Sequence, residues 1–144
     1  MHLLDANVCI GLMNGTLPRT ARSLAEHAPS EVRLCAVVKA ELLYGARKST
    51  DPAGNLRRLE EFFAAFGSLP FDDDAAVCYG GIREGLERSG TPIGPNDLMI
   101  AAIAMANDAI LITRNTGEFE RVIGLRIEDW ERGPDPLPTA KPAR

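Results

Sequence analysis

The sequence of 144 residues lacks an apolar run long enough to cross a membrane. Its longest apolar region, from Leu98 to Ile112, is interrupted by Asn107 and Asp108, whereas a spanning helix needs about 20 consecutive apolar residues. A strand that begins at residue 2 also leaves no room for a targeting peptide. We therefore expect no membrane role.

Cysteine and histidine are scarce as well. The three cysteines, Cys9, Cys35 and Cys78, are an odd number inside apolar stretches and form no CxxC motif, which is typical of buried thiols in a reducing cytosol. The two histidines, His2 and His27, have no partner at the spacing of a metal ligand or a catalytic dyad. This disfavours histidine-based catalysis, and we expect a cytoplasmic protein.

Excess positive charge is also absent, since the formal net charge is -4. This argues against a protein that holds nucleic acid by bulk electrostatics, because Lys and Arg must neutralise the phosphates. The cations are nevertheless biased, with three Lys among the 16 Lys and Arg, and Arg favours bidentate contact with phosphate. Genome composition explains the same bias equally well.

What remains is the composition of an ordinary globular chain, with 45% hydrophobic and 25% charged residues. Short apolar strands alternate with helices, which predicts an α/β fold with a central, mainly parallel sheet and helices on both faces. From Gly133 onward the chain carries four prolines. We therefore predict one domain over residues 1–132 and a disordered, Pro-rich tail over 133–144. The predicted strands are 2–4, 32–35, 110–112 and 125–127, with an extended piece at 69–71, and the predicted helices start near 8, 20, 37, 52, 72 and 95.

Three acids occur at strand or helix junctions. Asp5 closes the apolar run of the first strand, Glu41 lies one turn into the third helix, and Asp97 enters the most apolar helix. Side chains at the carboxyl ends of parallel strands meet at one edge of the sheet. Clustered carboxylates repel each other, and their oxygens suit Mg²⁺ or Mn²⁺. The sequence therefore predicts a divalent metal site.

Each acid alone has a simpler explanation. Asp5 could cap the next helix through the Val8 N–H, Asp97 could complement a helix dipole, and Glu41 could be a surface residue. The acids Asp72–Asp74 fit the capping of a helix better than a metal site.

Four segments of the chain contain the three acids and the residues after the fourth strand. They are Leu3-Leu4-Asp5-Ala6-Asn7-Val8, Val37-Val38-Lys39-Ala40-Glu41-Leu42-Leu43-Tyr44-Gly45-Ala46, Ile93-Gly94-Pro95-Asn96-Asp97-Leu98-Met99-Ile100-Ala101 and Thr113-Arg114-Asn115-Thr116-Gly117-Glu118-Phe119. In their order and spacing these segments resemble the PIN-domain ribonucleases, specifically the VapC-type toxins, and the resemblance covers residues 1 to about 130.

The resemblance implies a three-layer α/β/α domain and a Mg²⁺-dependent endoribonuclease, with Mn²⁺ as a possible substitute. Asp5, Glu41 and Asp97 match the metal ligands of the family. The resemblance further implies cleavage of a structured RNA, with tRNA as the leading candidate, to 3′-hydroxyl and 5′-phosphate ends. It also implies a homodimer and a small VapB-like antitoxin as partner.

The fourth acidic position departs from the family pattern. Many PIN domains place Asp two residues after the Thr, whereas this chain has Asn115, and the nearest acid is Glu118. We include Thr113, Asn115 and Glu118 among the candidate catalytic residues. Arg114 could contact a phosphate or lie free in solvent.

Two other functions remain open at this point. A receiver-type phosphoacceptor is also α/β with acids at strand ends, but it needs a Lys after a late strand, and Thr113-Arg114-Asn115 stands there instead. A PIN fold used as a protein-binding module, with Asn115 marking weakened catalysis, is opposed by the three intact acids.

Overall fold

Five parallel strands form the centre of the structure, a computed structural model that describes residues 1–132. The sheet order is β3-β2-β1-β4-β5. The strands are β1 (His2–Leu4), β2 (Val32–Cys35), β3 (Gly67–Leu69), β4 (Ile110–Ile112) and β5 (Ile127–Glu128). The helices are α1 (Ala6–Asn14), α2 (Pro18–Ala25), α3 (Ala36–Arg47), α4 (Pro52–Ala64), α5 (Asp73–Arg88), α6 (Pro95–Ala106) and α7 (Thr116–Phe119), with a single 3-10 turn at Pro29–Glu31.

Strand β1 occupies the middle of the sheet. It pairs with β2 on one side, where His2 faces Val32, and with β4 on the other, where Leu4 faces Ile112. The chain therefore winds outward from β1 in both directions, which creates a switch point at the carboxyl end of this strand. Ligands of open α/β sheets bind at such a point.

The sheet is apolar because helices cover it. Leu3, Leu34 and Leu111 in the three inner strands are fully buried, as expected for parallel strands that face helices on both sides. Helix α6 is almost as deeply buried, and its residues Ile100–Ala104 are at most 1% exposed. The predicted α/β class is confirmed, and every strand pair is parallel.

Two acids cap the helices α4 and α5. Asp51 precedes Pro52 and accepts a hydrogen bond from the N–H of Gly54 at 3.1 Å. Asp72 accepts one from the N–H of Ala75 at 3.0 Å. The acids at the start of α5 therefore satisfy free N–H groups of the first turn, which is the structural role that the sequence favoured.

Several predicted boundaries were wrong. The extended piece at 69–71 is a strand two residues earlier, because Pro70 has no N–H for the sheet. The last strand begins at Ile127 and not at 125. Helix α1 begins at Ala6, directly after its cap, and ends before Gly15, whose φ of 70° terminates it.

In helix α4, Leu59 is buried in the core, and Phe62 and Phe63 are partly buried against it.

Three rings join distant parts of the chain at the amino-terminal edge of the sheet. The rings of His2 and His27 are 4.6 Å apart between centroids, and His27 stacks on Trp130 at 4.8 Å. Each histidine thus has a partner that sequence spacing could not reveal, because the contact is tertiary. His2 Nδ1 is buried without a hydrogen-bond partner among the described residues.

Among residues 1–132, no helix is long and apolar enough to span a bilayer. The predicted tail, 133–144, lies outside the described residues.

Candidate active site

Asp5 lies at the carboxyl end of β1 and is 5% exposed. Its Oδ1 accepts a hydrogen bond from the N–H of Val8 at 2.8 Å, so Asp5 does cap α1. Its Oδ2 accepts a hydrogen bond from the hydroxyl of Thr113. Burial raises the pKa of Asp5, and the hydrogen bonds from Thr113 and Val8 oppose this shift. Because its two oxygens accept separate hydrogen bonds, Asp5 can cap α1 and also belong to the acid cluster.

Thr113 connects two parts of the site. It follows β4 directly and is fully buried. Its hydroxyl donates to Asp5 and accepts the N–H of Asn115 at 2.9 Å. Thr113 is held in place by β4, which it follows directly. The orientation of the Asp5 carboxylate therefore depends on this neighbouring strand as well as on α1.

Glu41 reaches the same edge from α3. Its Oε1 is buried and has no hydrogen-bond partner among the described residues. Burial raises the pKa of Glu41, the charge of Asp5 adds to this, and a hydrogen bond from the side chain of Asn96 lowers it. A buried carboxylate oxygen without a donor is costly, so Glu41 has an open position for a cation.

Asp97 and Glu118 form a carboxyl pair at the start of α6. Burial, followed by the charges of Glu118 and Glu41, raises the pKa of Asp97 to about 6. Glu118 accepts hydrogen bonds from the Gly94 N–H at 2.9 Å and the Asn115 amide at 2.6 Å. The Gly94 bond is the main reason that the pKa of Glu118 is lowered. The proximity of the two carboxyl groups contributes to the opposite shifts of their pKa values, upward for Asp97 and downward for Glu118.

The six candidate catalytic residues of the sequence therefore lie in one site, joined by the hydrogen bonds and charge interactions above. They are Asp5, Glu41, Asp97, Thr113, Asn115 and Glu118.

Three other polar side chains pair with other residues or face solvent. The guanidinium of Arg114 forms an ion pair with Asp129 at 3.2 Å. Arg83 pairs with Glu87 on the surface of α5 at 3.0 Å, as an i,i+4 pair. Asn7 is exposed on α1 and gives no hydrogen bond to Asp5, whose described donors are Val8 and Thr113.

Sequence reasoning missed three residues that act on these carboxylates. Asn96 donates to Glu41, Gly94 donates to Glu118, and the charge of Asp129 raises the pKa of Asp5. Asp129 follows β5, so the rule that located Asp5 at a strand end could have found it. Gly94 acts through its backbone N–H, so no side chain in the sequence indicated its role.

The residues of this site fit a divalent cation. The charges of several acids act on one another, and Glu41 has a buried oxygen without a described partner. A cation beside Asp97 would offset the charges of Glu118 and Glu41 that raise its pKa. Within residues 1–132, no three Asp, Glu, His or Cys side chains lie close enough together to hold a metal ion as they stand. An open set of carboxylates matches Mg²⁺, which keeps several waters and takes few protein ligands.

A cavity of about 580 Å³ adjoins the acid cluster. Glu41 and Asn96 line it on the side of the acids, and Ala36, Ala40 and Tyr44 of α3 form another wall. The small alanines leave room beside the carboxylates, so a ligand can reach Glu41 from solvent.

The family model of the PIN domain matches residues 2–125 of the chain. The chain belongs to the PIN-domain family. This PIN domain is 40% identical over 128 residues to the tRNA(fMet)-specific endonuclease VapC of Salmonella typhimurium, a match that covers 89% of this chain and 96% of the relative. It is 33% identical over 133 residues to ribonuclease VapC2 of Rickettsia felis, covering 92% and 99%.

The fold of this PIN domain is likewise similar to solved structures. The crystal structure of VapBC2 from Rickettsia felis bound to a DNA fragment from its promoter matches with a TM-score of 0.85 at 33% identity, over 90% of this chain and 98% of that one. DNA-bound VapBC from Salmonella typhimurium matches with a TM-score of 0.85 at 38% identity, over 90% and 97%.

Proposed function

We propose that this PIN domain is a metal-dependent endoribonuclease, the toxin of a VapBC-type toxin–antitoxin module. The observation that carries the proposal is the convergence of Asp5, Glu41, Asp97 and Glu118 at the switch point of the sheet, with a buried Glu41 oxygen left free. Two relatives that this chain matches over nearly their whole length are named a tRNA(fMet)-specific endonuclease and a ribonuclease.

In this proposal Asp5, Glu41 and Asp97 hold Mg²⁺, with Mn²⁺ as a substitute. Mg²⁺ supplies a Lewis acid that activates water and offsets negative charge on a phosphodiester. Thr113 fixes the orientation of Asp5, and Asn96 that of Glu41. Asn115 and Gly94 hold Glu118 beside Asp97, where it keeps the edge of the site acidic.

The proposed substrate is RNA, and tRNA is the first candidate because the Salmonella relative is named for tRNA(fMet). Hydrolysis in this manner leaves 3′-hydroxyl and 5′-phosphate ends and arrests translation. An enzyme that acts on tRNA works in the cytoplasm.

The proposed partners are a second copy of the chain and a VapB-like antitoxin, since the similar solved structures are VapBC complexes. The excess of carboxylates at the site would attract an antitoxin Arg in place of the metal. Full inhibition by an antitoxin without that Arg would exclude this mode of binding.

The test is cleavage of total bacterial RNA and of an initiator tRNA transcript by the purified chain, with Mg²⁺ or with EDTA, followed by sequencing of the fragment ends. We expect discrete cuts that require Mg²⁺ and disappear in Asp5→Asn. Asp74→Asn is the matched control, because Asp74 is an exposed acid in the first turn of α5. Absence of Mg²⁺-dependent cuts with folded protein would refute the nuclease and favour a protein-binding module.

A further inference from the structure

Tyr44 exposes its ring to solvent beside the acid cluster. It lies on α3, one turn after Glu41, and is 68% exposed. The two residues line the same cavity of about 580 Å³, together with Asn96. That volume falls within the range of about 300–1,000 Å³ that is usual for ligand sites.

Two cations follow Tyr44 at helical spacing. Arg47 and Lys48 are exposed at the end of α3, and the ammonium of Lys48 is 5.3 Å from the centroid of the Tyr44 ring. Residues three and four apart share a helix face, so Glu41, Tyr44 and Lys48 succeed one another along one side of α3. Lys48 follows Glu41 by seven positions, which corresponds to about 10 Å along the helix axis at ~1.5 Å per residue.

The end of α3 that carries these side chains is anchored. The hydroxyl of Ser49 donates to the carbonyl of Ala46 at 2.6 Å, and the amide of Asn55 in α4 donates to Ser49 Oγ at 2.9 Å. The backbone under the ring is therefore fixed before a ligand arrives. Tyrosine itself has only two side-chain torsions to order, which keeps the entropic cost of contact low.

We propose that Tyr44 is the stacking platform for a nucleobase next to the scissile phosphate, and that Lys48 contacts a phosphate of the same strand. This rests on the proposed function and narrows its substrate. An aromatic face flanked by cations is how proteins bind single-stranded nucleic acid. A base inside an A-form helix cannot offer its face to a side chain, so the strand at the cleavage site is unpaired.

The charges around Tyr44 favour RNA over an apolar occupant. A hydrophobic segment could cover the ring, but it would leave Lys48 and Arg47 without a counter-charge. A nucleotide supplies a flat face for Tyr44, a phosphate for Lys48 and a polar edge for the Asn96 amide that lines the same cavity.

The first experiment uses the cleavage site once it has been mapped. Synthetic RNAs that span the cut carry an abasic residue at either flanking position. With the wild type we expect KM to rise about 5- to 150-fold at one of the two positions, which corresponds to ~1–3 kcal/mol per stacked base. In Tyr44→Leu, KM should already be raised to this extent with the intact RNA, and the abasic residue should raise it no further.

Two variants define the meaning of this result. Tyr44→Phe keeps the ring and should behave like the wild type, whereas Leu43→Ala removes exposed apolar area from the adjacent residue and should keep the abasic penalty. An abasic penalty of the same size in Tyr44→Leu and in the wild type would overturn the proposal. The proposal would also be overturned if light scattering showed a dimer for the wild type and a monomer for Tyr44→Leu. The ring would then belong to a subunit interface.

A binding experiment separates this proposal from the proposed function. In an Asp97→Asn background with Mg²⁺, anisotropy is measured with a fluorescein-labelled single-stranded RNA of mixed sequence and with the same strand annealed to its complement. We expect Tyr44→Leu to weaken single-strand binding about 5- to 150-fold and to leave duplex binding unchanged. Equal affinities with and without the ring refute stacking, whether or not the wild-type chain cuts RNA. Absence of cleavage with ring-dependent binding would refute the nuclease alone.

Discussion

The hydroxyl of Thr113 donates a hydrogen bond to Asp5 across 108 positions of sequence and joins the carboxyl ends of β4 and β1. Both side chains are almost completely buried, so this bond gives the Thr113 hydroxyl an acceptor and Asp5 Oδ2 a donor within the core. The candidate metal ligand is thus part of the packing of the sheet.

Replacing Thr113 tests this link. Thr113→Val keeps the shape but removes the donor to Asp5 and the acceptor for the Asn115 N–H. We expect the free energy of unfolding to fall by about 1–3 kcal/mol, because buried polar groups lose their partners. Urea denaturation measures this change. Thr113→Ser should lose much less, and equal losses in the two variants would show that the hydroxyl is unimportant.

Gly94 offers a matched pair of substitutions that test the hold on Glu118. Its φ of -58° suits proline, and an added Cβ would lie 3.8 Å from Glu118 Oε1, which is an ordinary contact. Gly94→Pro removes the N–H that Glu118 accepts, whereas Gly94→Ala keeps it. We expect RNA cleavage to fall about tenfold in Gly94→Pro, at the low end for a bond to a charged group because Glu118 is partly exposed. A similar loss in Gly94→Ala would contradict this role.

The repulsion in the acid cluster predicts opposite effects of Asp97 on stability and on metal binding. Above about pH 6 the ionised Asp97 lies beside Glu118, Glu41 and Asp5, and this destabilises the metal-free fold. Asp97→Asn should therefore raise stability at about pH 7.5 by on the order of 1 kcal/mol after allowance for solvent screening. This corresponds to roughly 2–4 °C in Tm.

Addition of Mg²⁺ should reverse that order. A cation that binds only the folded chain stabilises it by mass action, so the Tm of the wild type should rise with Mg²⁺ while that of Asp97→Asn changes little. Asp74→Asn, an exposed acid outside the cluster, should behave like the wild type in both conditions. An equal Mg²⁺ response of all three proteins would exclude Asp97 as a ligand.

The ring cluster predicts a loss of stability in acid. Burial, followed by the nearby His27 and the N-terminal amine, lowers the pKa of His2 below its ordinary 6.5, and Glu128 and the backbone of Glu31 oppose this only in part. The unfolded chain therefore binds the proton more readily than the folded one. The stabilising effect of the neutral ring is complete above pH 6.5 and is lost as the pH falls through the lower, folded-state value.

Thermal denaturation from about pH 8 to pH 5 measures this dependence. We expect the Tm of the wild type to fall more steeply below about pH 6.5 than that of His2→Phe, which keeps a ring but cannot be protonated. Parallel curves for the two proteins would show that His2 is not the group responsible.

The placement of Asp5 and Thr113 beside each other was predictable, because neighbouring strands of a parallel sheet end at the same edge. Asp5 and Thr113 each follow an apolar strand, so the class of fold alone was enough to bring them to one edge. The strands and helices themselves could be predicted from the spacing of apolar residues along the chain.

Other features could not be predicted because they depend on three-dimensional detail. Gly94 contributes only an N–H, and Asn96 acts on Glu41 across two helices. The pairing of Arg114 with Asp129 depends on how the chain turns after β5. The stacking of His27 on Trp130 likewise joins segments whose separation along the chain carries no signal.

The central position of β1 also determines when the site can exist during synthesis. Strand β1 is synthesised before its neighbour β4, which lies more than a hundred residues later in the chain and is followed directly by Thr113. A nascent chain can pair β1 with β2, yet Asp5 lacks its second hydrogen bond until Ile110–Ile112 has been added. The carboxylates therefore assemble only when translation of the domain is nearly complete.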